Sequence, residues 1–392
     1  MGRLRPGHTV NTPGLQLPPL SLYVHVPWCV RKCPYCDFNS HEASGALPED
    51  DYIRALIEDL DQDLAMVQGR SLQSIFIGGG TPSLFSGRSY GRLLTAIAQR
   101  TSLAPDVEIT LEANPGTTEY QRFSDYRTAG INRLSIGAQS FDDAQLRTLG
   151  RIHDSTEIRR AAREAHRAGF DNFNIDLMYA LPDQTPEAAC EDLRQALQLE
   201  PAHLSWYQLT IEPNTSFYKR PPDALPEETV IDTQDRGLSL LESAGLQRYE
   251  VSAWARPGRA SVHNLNYWTF GDYLGIGAGA HGKITLPGES RIVRTRKRRQ
   301  PDHYLKSSLT RSAGCDPVPD NQLVLEFLMN ALRLTGGFTV PQFEAHTGLP
   351  FGTLEKQVES LTDRGLMTCE GERCRTTPRG LQLLDSVLET FL

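Results

Sequence analysis

A recurrence of short apolar runs constrains the fold most. Each run stops at a polar or glycine-rich turn, and stretches with helical spacing lie between them. The runs occupy residues 22–26, 74–77, 107–111, 133–136, 170–175 and 203–209, and helical spacing occupies 48–68, 155–168 and 185–199. Short strands separated by helices predict parallel βα units, because neighbouring parallel strands need a crossover. Their polar ends then gather on one face. Six such units fall short of the eight that close a barrel. The expectation is an α/β fold, a three-quarter parallel (β/α)6 barrel open on one side, over residues 20–213. Gly78-Gly79-Gly80, Glu112, Gln139, Asp176 and Thr210 stand at the ends of these runs and are expected around one mouth.

Directly after the first run the chain reads Cys29-Val30-Arg31-Lys32-Cys33-Pro34-Tyr35-Cys36, a C-x3-C-x2-C spacing. Three thiolates on so short a loop suit a cubane iron–sulfur cluster, since each can reach a different iron. Zinc fits less well, because a closed structural site wants a fourth ligand, and His25 and His41 flank the loop without pairing. A disulfide leaves an odd cysteine and needs an oxidising compartment. Three ligands on four irons leave one iron open for another molecule. Cys190, Cys315, Cys369 and Cys374 show no pairing pattern.

Composition narrows the classes. A chain of 392 residues with net charge −8 offers no general invitation to nucleic acid or an anionic membrane. No apolar stretch approaches the ~20 residues of a membrane span. Residues 1–19, with prolines, glycines and two arginines, read as a loose tail without a secretory signal. Clustered thiols in a cysteine-poor chain point to a reducing, cytoplasmic setting.

Single residues keep two readings each. The glycine triplet is either a tight strand-to-helix turn or a place where backbone approaches a ligand closely. Glu112 and Asp176 are surface carboxylates or, at strand ends, site residues. Gln139 can bond local backbone, and Arg151 can pair with Asp154. Beyond Pro213 the prolines Pro221, Pro222 and Pro226 mark a linker. A helix is expected over 228–243 and a strand over 247–255. His263-Asn264-Leu265-Asn266-Tyr267-Trp268 follows, then a glycine-rich segment over 273–282 suited to packing over a flat ligand. The run 294–299 is densely basic and reads as a solvated loop or as a contact for propionates or an acidic partner. Residues 322–334, 340–346 and 351–364 read as helices, followed by two short strands around Gly371 and a helix over 378–391. That order resembles a winged helix. Helix 351–364 carries few cations, so packing or partner docking is expected rather than nucleic-acid binding.

The cysteine spacing, with Tyr35 before its last member, resembles that of the radical S-adenosylmethionine enzymes. More widely, SLYVHVPWCVRKCPYCDFNSH, IFIGGGTPSL, LEANPG, RLSIGAQSF, NIDLMYALPDQT and HNLNYW together resemble the HemW family of haem chaperones, in order and over residues 21–392. The resemblance implies a barrel of radical SAM type with a C-terminal appendage ending in the winged-helix-like module. Residues 20–213, 214–315 and 316–392 would form the barrel, an extension with the HNxxYW motif, and the module. It implies Cys29, Cys33 and Cys36 as ligands of a 4Fe-4S cluster. Tyr23, Tyr35, Gly79, Gly80, Thr81, Glu112, Gln139, Arg151 and Asp176 would bind S-adenosylmethionine, whose amino and carboxylate groups chelate the fourth iron in that superfamily. His263 of the motif would bind haem, since neutral imidazole is a common axial ligand, although a histidine beside two aromatics is often simply packed. His281 is a second candidate.

The implied function is binding haem as cargo and passing it to an acceptor protein, perhaps a respiratory one, with only peripheral contact to membrane-bound partners. The alternative is an oxygen-independent coproporphyrinogen III oxidase, the related enzyme of porphyrin biosynthesis. In those oxidases a fourth cysteine often follows the third after one residue, where this chain has Phe38, and a longer segment precedes the cluster loop. Both departures favour a chaperone without oxidase activity.

Overall fold

The computed structural model describes residues 14–116, 122–307 and 310–392. Its centre is one twelve-stranded sheet. In chain order the strands are β1 (Leu20–Val26), β2 (Ser71–Gly79), β3 (Ser102–Ala113), β4 (Arg133–Gln139), β5 (Phe173–Tyr179) and β6 (His203–Gln208). There follow β7 (Gln247–Glu250), β8 (Ala253–Ala255), β9 (Asp272–Ile276), β10 (His281–Leu286), β11 (Arg291–Lys297) and β12 (Ser312–Pro317). Across the sheet their order is β12-β11-β10-β9-β1-β2-β3-β4-β5-β6-β8-β7, and the two ends do not pair. Strands β1 to β6 are parallel in sequence order, so the open α/β barrel expected from the run spacing is present.

Alternation explains the sheet's two faces. Leu20, Leu22, Val24 and Val26 of β1 pack outward with Tyr52, Ile53 and Leu56 of helix Glu49–Asp63 in the main core. Between them Ser21, Tyr23 and His25 point the other way, into the lumen. There Ser21 Oγ meets Ser74 Oγ at 2.7 Å, and Tyr23 stacks on Phe76 with centroids 6.3 Å apart. The lumen is polar almost throughout: Glu108, Thr110, Arg133, Ser135, Asn174 and His203 are all buried.

Several expectations change. The extension is not separate from the sheet, because six of the twelve strands come from residues 247–317. Residues 247–255 form a hairpin, β7 and β8, rather than one strand. The glycine-rich segment is β9 and the start of β10, and β9 is a seventh parallel strand, lying beside β1. Its glycines serve strand packing: a Cβ on Gly275 would strike the His281 carbonyl and one on Gly277 the His25 carbonyl. Residue 170 ends a turn, and the strand shifts to Phe173–Tyr179, so Asp176 sits mid-strand facing the lumen. Residues 1–13 of the expected tail lie outside the described residues. Residues 14–19 are tied down, with Gln16 N–H donating to Ala345 O at 2.8 Å.

The C-terminal module has the expected helix, helix, helix, wing order. Helices Asp320–Ala331, Val340–Thr347 and Glu355–Asp363 precede a wing of β14 (Met367–Glu370) and β15 (Arg373–Thr376), and β15 also pairs with β13 (Phe338–Thr339). Phe327, Phe338 and Phe343 fill its own core. The last helix breaks at Leu383 into Pro378–Gln382 and Leu384–Glu389. Cys369 and Cys374 stand opposite each other on the wing and form a disulfide, a pairing the spacing leaves unseen because hairpin register creates it.

Two buried ionic clusters pin the late strands to the barrel. Lys297 of β11 donates to Asp59 (2.6 Å) and Asp63 (2.7 Å) of helix Glu49–Asp63, and Tyr304 OH also donates to Asp59 at 2.7 Å. Asp272 of β9 accepts from Lys283 (2.9 Å) and Arg70 (2.7 Å). Removing one partner of such a set strands a buried charge. Lys297→Met is therefore expected to cost about 3–5 kcal/mol in chemical denaturation. Unchanged stability would show that Asp59 and Asp63 do not depend on it.

Candidate functional site

The cysteine loop leaves β1 and is closed at its base, where Trp28–Cys29 pairs with His41–Glu42. Cys29 is buried, Cys33 and Cys36 are half-buried, and all three are free thiols lining one cavity of about 430 Å3. Among the described residues no three His, Cys, Asp or Glu side chains converge as ligands of a single ion. His25 is committed elsewhere, its Nδ1 at 2.9 Å from Tyr23 OH and its Nε2 at 2.9 Å from Asn39 O. Thiols that ring a space rather than meet at a point suit a compact multi-iron cluster better than zinc.

The glycine triplet forms the facing wall. Gly80 N–H donates to Val26 O and Thr81 N–H to Trp28 O, both at 2.7 Å. A Cβ on Gly80 would meet the Trp28 carbonyl, and one on Gly79, whose φ is +121°, would meet the His25 ring at 2.7 Å. These glycines therefore let one backbone dock on another, seating the triplet on the root of the cysteine loop.

Tyr35, Gly79, Gly80, Thr81, Glu112, Gln139, Arg151 and Asp176 line the same cavity as the thiols. Tyr23 does not, and lines an adjoining cleft that shares Asp37, Phe38, Gly79 and Glu112 with it. His263 lines neither. Its ring is 3% exposed, stacked on Phe76 at 4.7 Å, with Nδ1 at 3.0 Å from Ser74 Oγ. Burial pushes its pKa down to about 3, so the imidazole is neutral. His263 lies on the helix Val262–Trp268, and its Nε2 is buried with no hydrogen-bond partner among the described residues.

The cavity's charges are arranged before any ligand enters. Arg151 Nη2 donates to Asn114 Oδ1 (2.6 Å) and Gly137 O (2.8 Å), and Nη1 reaches Cys33 Sγ at 3.5 Å. Asp154 is not its partner, but caps helix Ser155–Arg167 through Thr156 N–H and Glu157 N–H, each at 2.9 Å. Gln139 has φ +75° and accepts from Tyr207 OH at 2.7 Å. A left-handed glutamine held this way is backbone strain of the kind found at ligand sites. Asp176 accepts from Ser135 Oγ (3.0 Å) and Asn174 Nδ2 (2.7 Å), yet burial still raises its pKa. Burial, helped by nearby Asp176, pushes Glu112 up to about 8 against a 3.0 Å bond from Gly79 N–H. Two carboxylates raised by burial, Glu112 also by its neighbour Asp176, favour a cationic guest. Asn114, Met178 and Tyr207 also line the cavity and were missed. The period-two alternation from Glu112, Asp176 and Ser205 would have found them.

Because the fold holds the Glu112 proton more tightly than the unfolded chain, its contribution to stability is full in acid and is lost as pH rises through about 8. Across that window the slope is on the order of 1 kcal/mol per pH unit. Glu112→Gln is expected to flatten the pH dependence of chemical denaturation between about 5 and 8. Equal slopes in the two chains would remove Glu112 as its source.

Comparison with known proteins follows the same lines. Residues 23–196 match the family model of the radical SAM superfamily, and 318–383 match that of the HemN C-terminal domain. The chain is 50% identical over 378 residues to the heme chaperone HemW of Escherichia coli strain K12, covering 96% of this chain and 99% of that protein. It is 37% identical over 387 residues to radical S-adenosyl methionine domain-containing protein 1, mitochondrial, of Mus musculus, covering 95% and 87%. Coproporphyrinogen III oxidase HemN from Escherichia coli superposes with a TM-score of 0.80 at 23% identity over 96% of this chain and 90% of that one, a likeness of fold. With half its residues shared along nearly the full length of such a relative, the chain belongs to the HemW family of the radical SAM superfamily.

Proposed function

We propose that this chain is a haem chaperone, which binds haem and passes it to an acceptor protein, working in the cytoplasm. Cys29, Cys33 and Cys36 would hold a 4Fe-4S cluster, and the cavity in front of them would hold S-adenosylmethionine. The observation that carries this reading is a shared wall: the cavity lined by the thiols and an aromatic cleft beside it have Asp37, Phe38, Gly79 and Glu112 in common.

The residues fit the cofactors. Burial raises the pKa of the Cys29 and Cys36 thiols, so a metal must displace their protons on binding. S-adenosylmethionine carries a sulfonium and an ammonium, which answer the crowded Glu112 and Asp176, and a carboxylate, which answers the buried Arg151. When bound, cluster and S-adenosylmethionine supply one-electron chemistry at an open iron. Gly79 N–H orients Glu112, Asn114 and Gly137 orient Arg151, and Tyr207 orients Gln139. Tyr23 lines the cleft, where its OH is bonded to His25 and its ring stacks on Phe76. In this role cofactor occupancy sets when haem is held.

The HNxxYW motif enters through Tyr267, which lines the cleft and stands edge-on against His263 at 4.6 Å. The exposed Phe38 stands where the oxidases often carry a cysteine, which favours the chaperone over coproporphyrinogen III oxidation. Among the described residues no helix is long and apolar enough to cross a membrane, and a membrane-bound acceptor would be met at its surface.

Two measurements test this. Haemin titration of the anaerobically reconstituted protein is expected to give a saturable Soret band, with transfer to an apo-haem protein, and His263→Ala is expected to weaken binding by unseating Tyr267. Anaerobic incubation with S-adenosylmethionine and coproporphyrinogen III is expected to yield no protoporphyrinogen. Turnover there, with no saturable haem binding, would establish the oxidase instead.

A further inference from the structure

The cleft beside the cofactor cavity has a volume of about 530 Å3, within the usual range for a small-molecule site. Its walls are unusual for a protein surface. Phe38 is 58% exposed on one lip. Tyr267 and Tyr273 meet edge-to-face, centroids 4.4 Å apart, as part of the lining. His281, the first residue of β10, and Arg299, just past β11, also line it. The His281 imidazole makes no hydrogen bond or ion pair with the described residues, and Arg299 joins no salt bridge among them. By contrast, the neighbouring Arg294 and Arg296 are already paired, with Glu326 and Asp316. Of the basic run, Lys297 is buried on Asp59 and Asp63, which leaves Arg299 as the member that lines this cleft, with no salt-bridge partner among the described residues. Asp37 and Glu112 line the cleft as well, the latter kept protonated at neutral pH by its burial.

An aromatic-walled slot with one uncommitted imidazole and one uncommitted guanidinium matches a flat, apolar, metal-centred dianion. We infer that this cleft is the haem site, that His281 is the axial ligand of the haem iron, and that Arg299 pairs with a propionate. The inference rests on the haem-binding reading above and goes further by assigning the iron to a residue outside the HNxxYW motif. Partial burial and the nearby Arg299, Arg296 and Arg294 lower the His281 pKa, so its ring is neutral and able to ligate at neutral pH. Guanidinium is the side chain best matched to a carboxylate by geometry. His263 then acts as a positioning residue: it lies beneath the cleft, sealed from it, and supports Tyr267 from behind.

The two histidines separate in one experiment on the full chain, using haemin titration followed by EPR and resonance Raman of the ferric complex. His281→Ala is expected to lose the imidazole-ligation signature and weaken binding on the order of tenfold or more, with added imidazole restoring the signature. His263→Phe, which keeps an aromatic ring behind Tyr267, is expected to retain the parent signature. Arg299→Gln is expected to weaken binding without changing it. If the parent binds haem and His281→Ala keeps its spectrum, or if His263→Phe alone loses the imidazole signature, this assignment is overturned while the chaperone reading stands. A parent chain that binds no haem overturns both.

Discussion

The carboxylate of Glu108 holds the arrangement on which the rest depends. An open parallel barrel leaves a polar lumen with no eighth strand to seal it, and here a crossing helix closes it from below. The chain must travel from β8, beside β6, to β9, beside β1, at the other side of the parallel run. Helix Val262–Trp268 makes that crossing, and Glu108 accepts from Val262 N–H and His263 N–H, both at 3.1 Å, and from Ser261 Oγ at 3.2 Å. A buried carboxylate at a helix N-terminus satisfies free N–H groups and the helix dipole together. The far end of the helix is held by the C-terminal module: Arg333 lies over Trp268 at 4.3 Å, and His346 Nδ1 is 2.9 Å from Thr269 O. One short helix thus touches the lumen, the cleft and the module.

This placement connects parts that look independent in the chain. The module reaches β7 through Thr335 N–H on Tyr249 O at 3.1 Å, and β11 through Arg294 and Glu326. It therefore spans both flanks of the sheet with the motif helix between them. The module touches the motif helix as directly as it touches the sheet, with Arg333 over Trp268 and the Tyr267 ring 6.3 Å from that of Trp268.

Much of this was legible beforehand, and the failures share a cause. The six parallel strands and the thiol loop were readable because period-two alternation and close cysteine spacing are local signals. The appendage misled because strands 247–255 and 272–297 pair with partners far away, and a glycine-rich strand looks like a loop until the backbone it packs against is known. His263 looked like a ligand because a histidine among aromatics reads the same whether sealed or open. Only the fold shows it under Phe76, while His281, set among glycines, lies in the open cleft. Asn114 and Tyr207 stand two residues on from Glu112 and Ser205, within reach of the same alternation, but that they hold Arg151 and Gln139 shows only in the fold.

The thiol cavity and the wall of docked backbone opposite it carry the proposed function: Cys29, Cys33 and Cys36 line one space, where they would hold an open-cornered cluster with S-adenosylmethionine in that corner. EPR of the anaerobically reconstituted, reduced protein, recorded with and without S-adenosylmethionine, tests this most directly. The expected result is a reduced 4Fe-4S signal whose g-values shift when S-adenosylmethionine is added. A protein that retains zinc or no metal, or a cluster signal indifferent to S-adenosylmethionine, would contradict it.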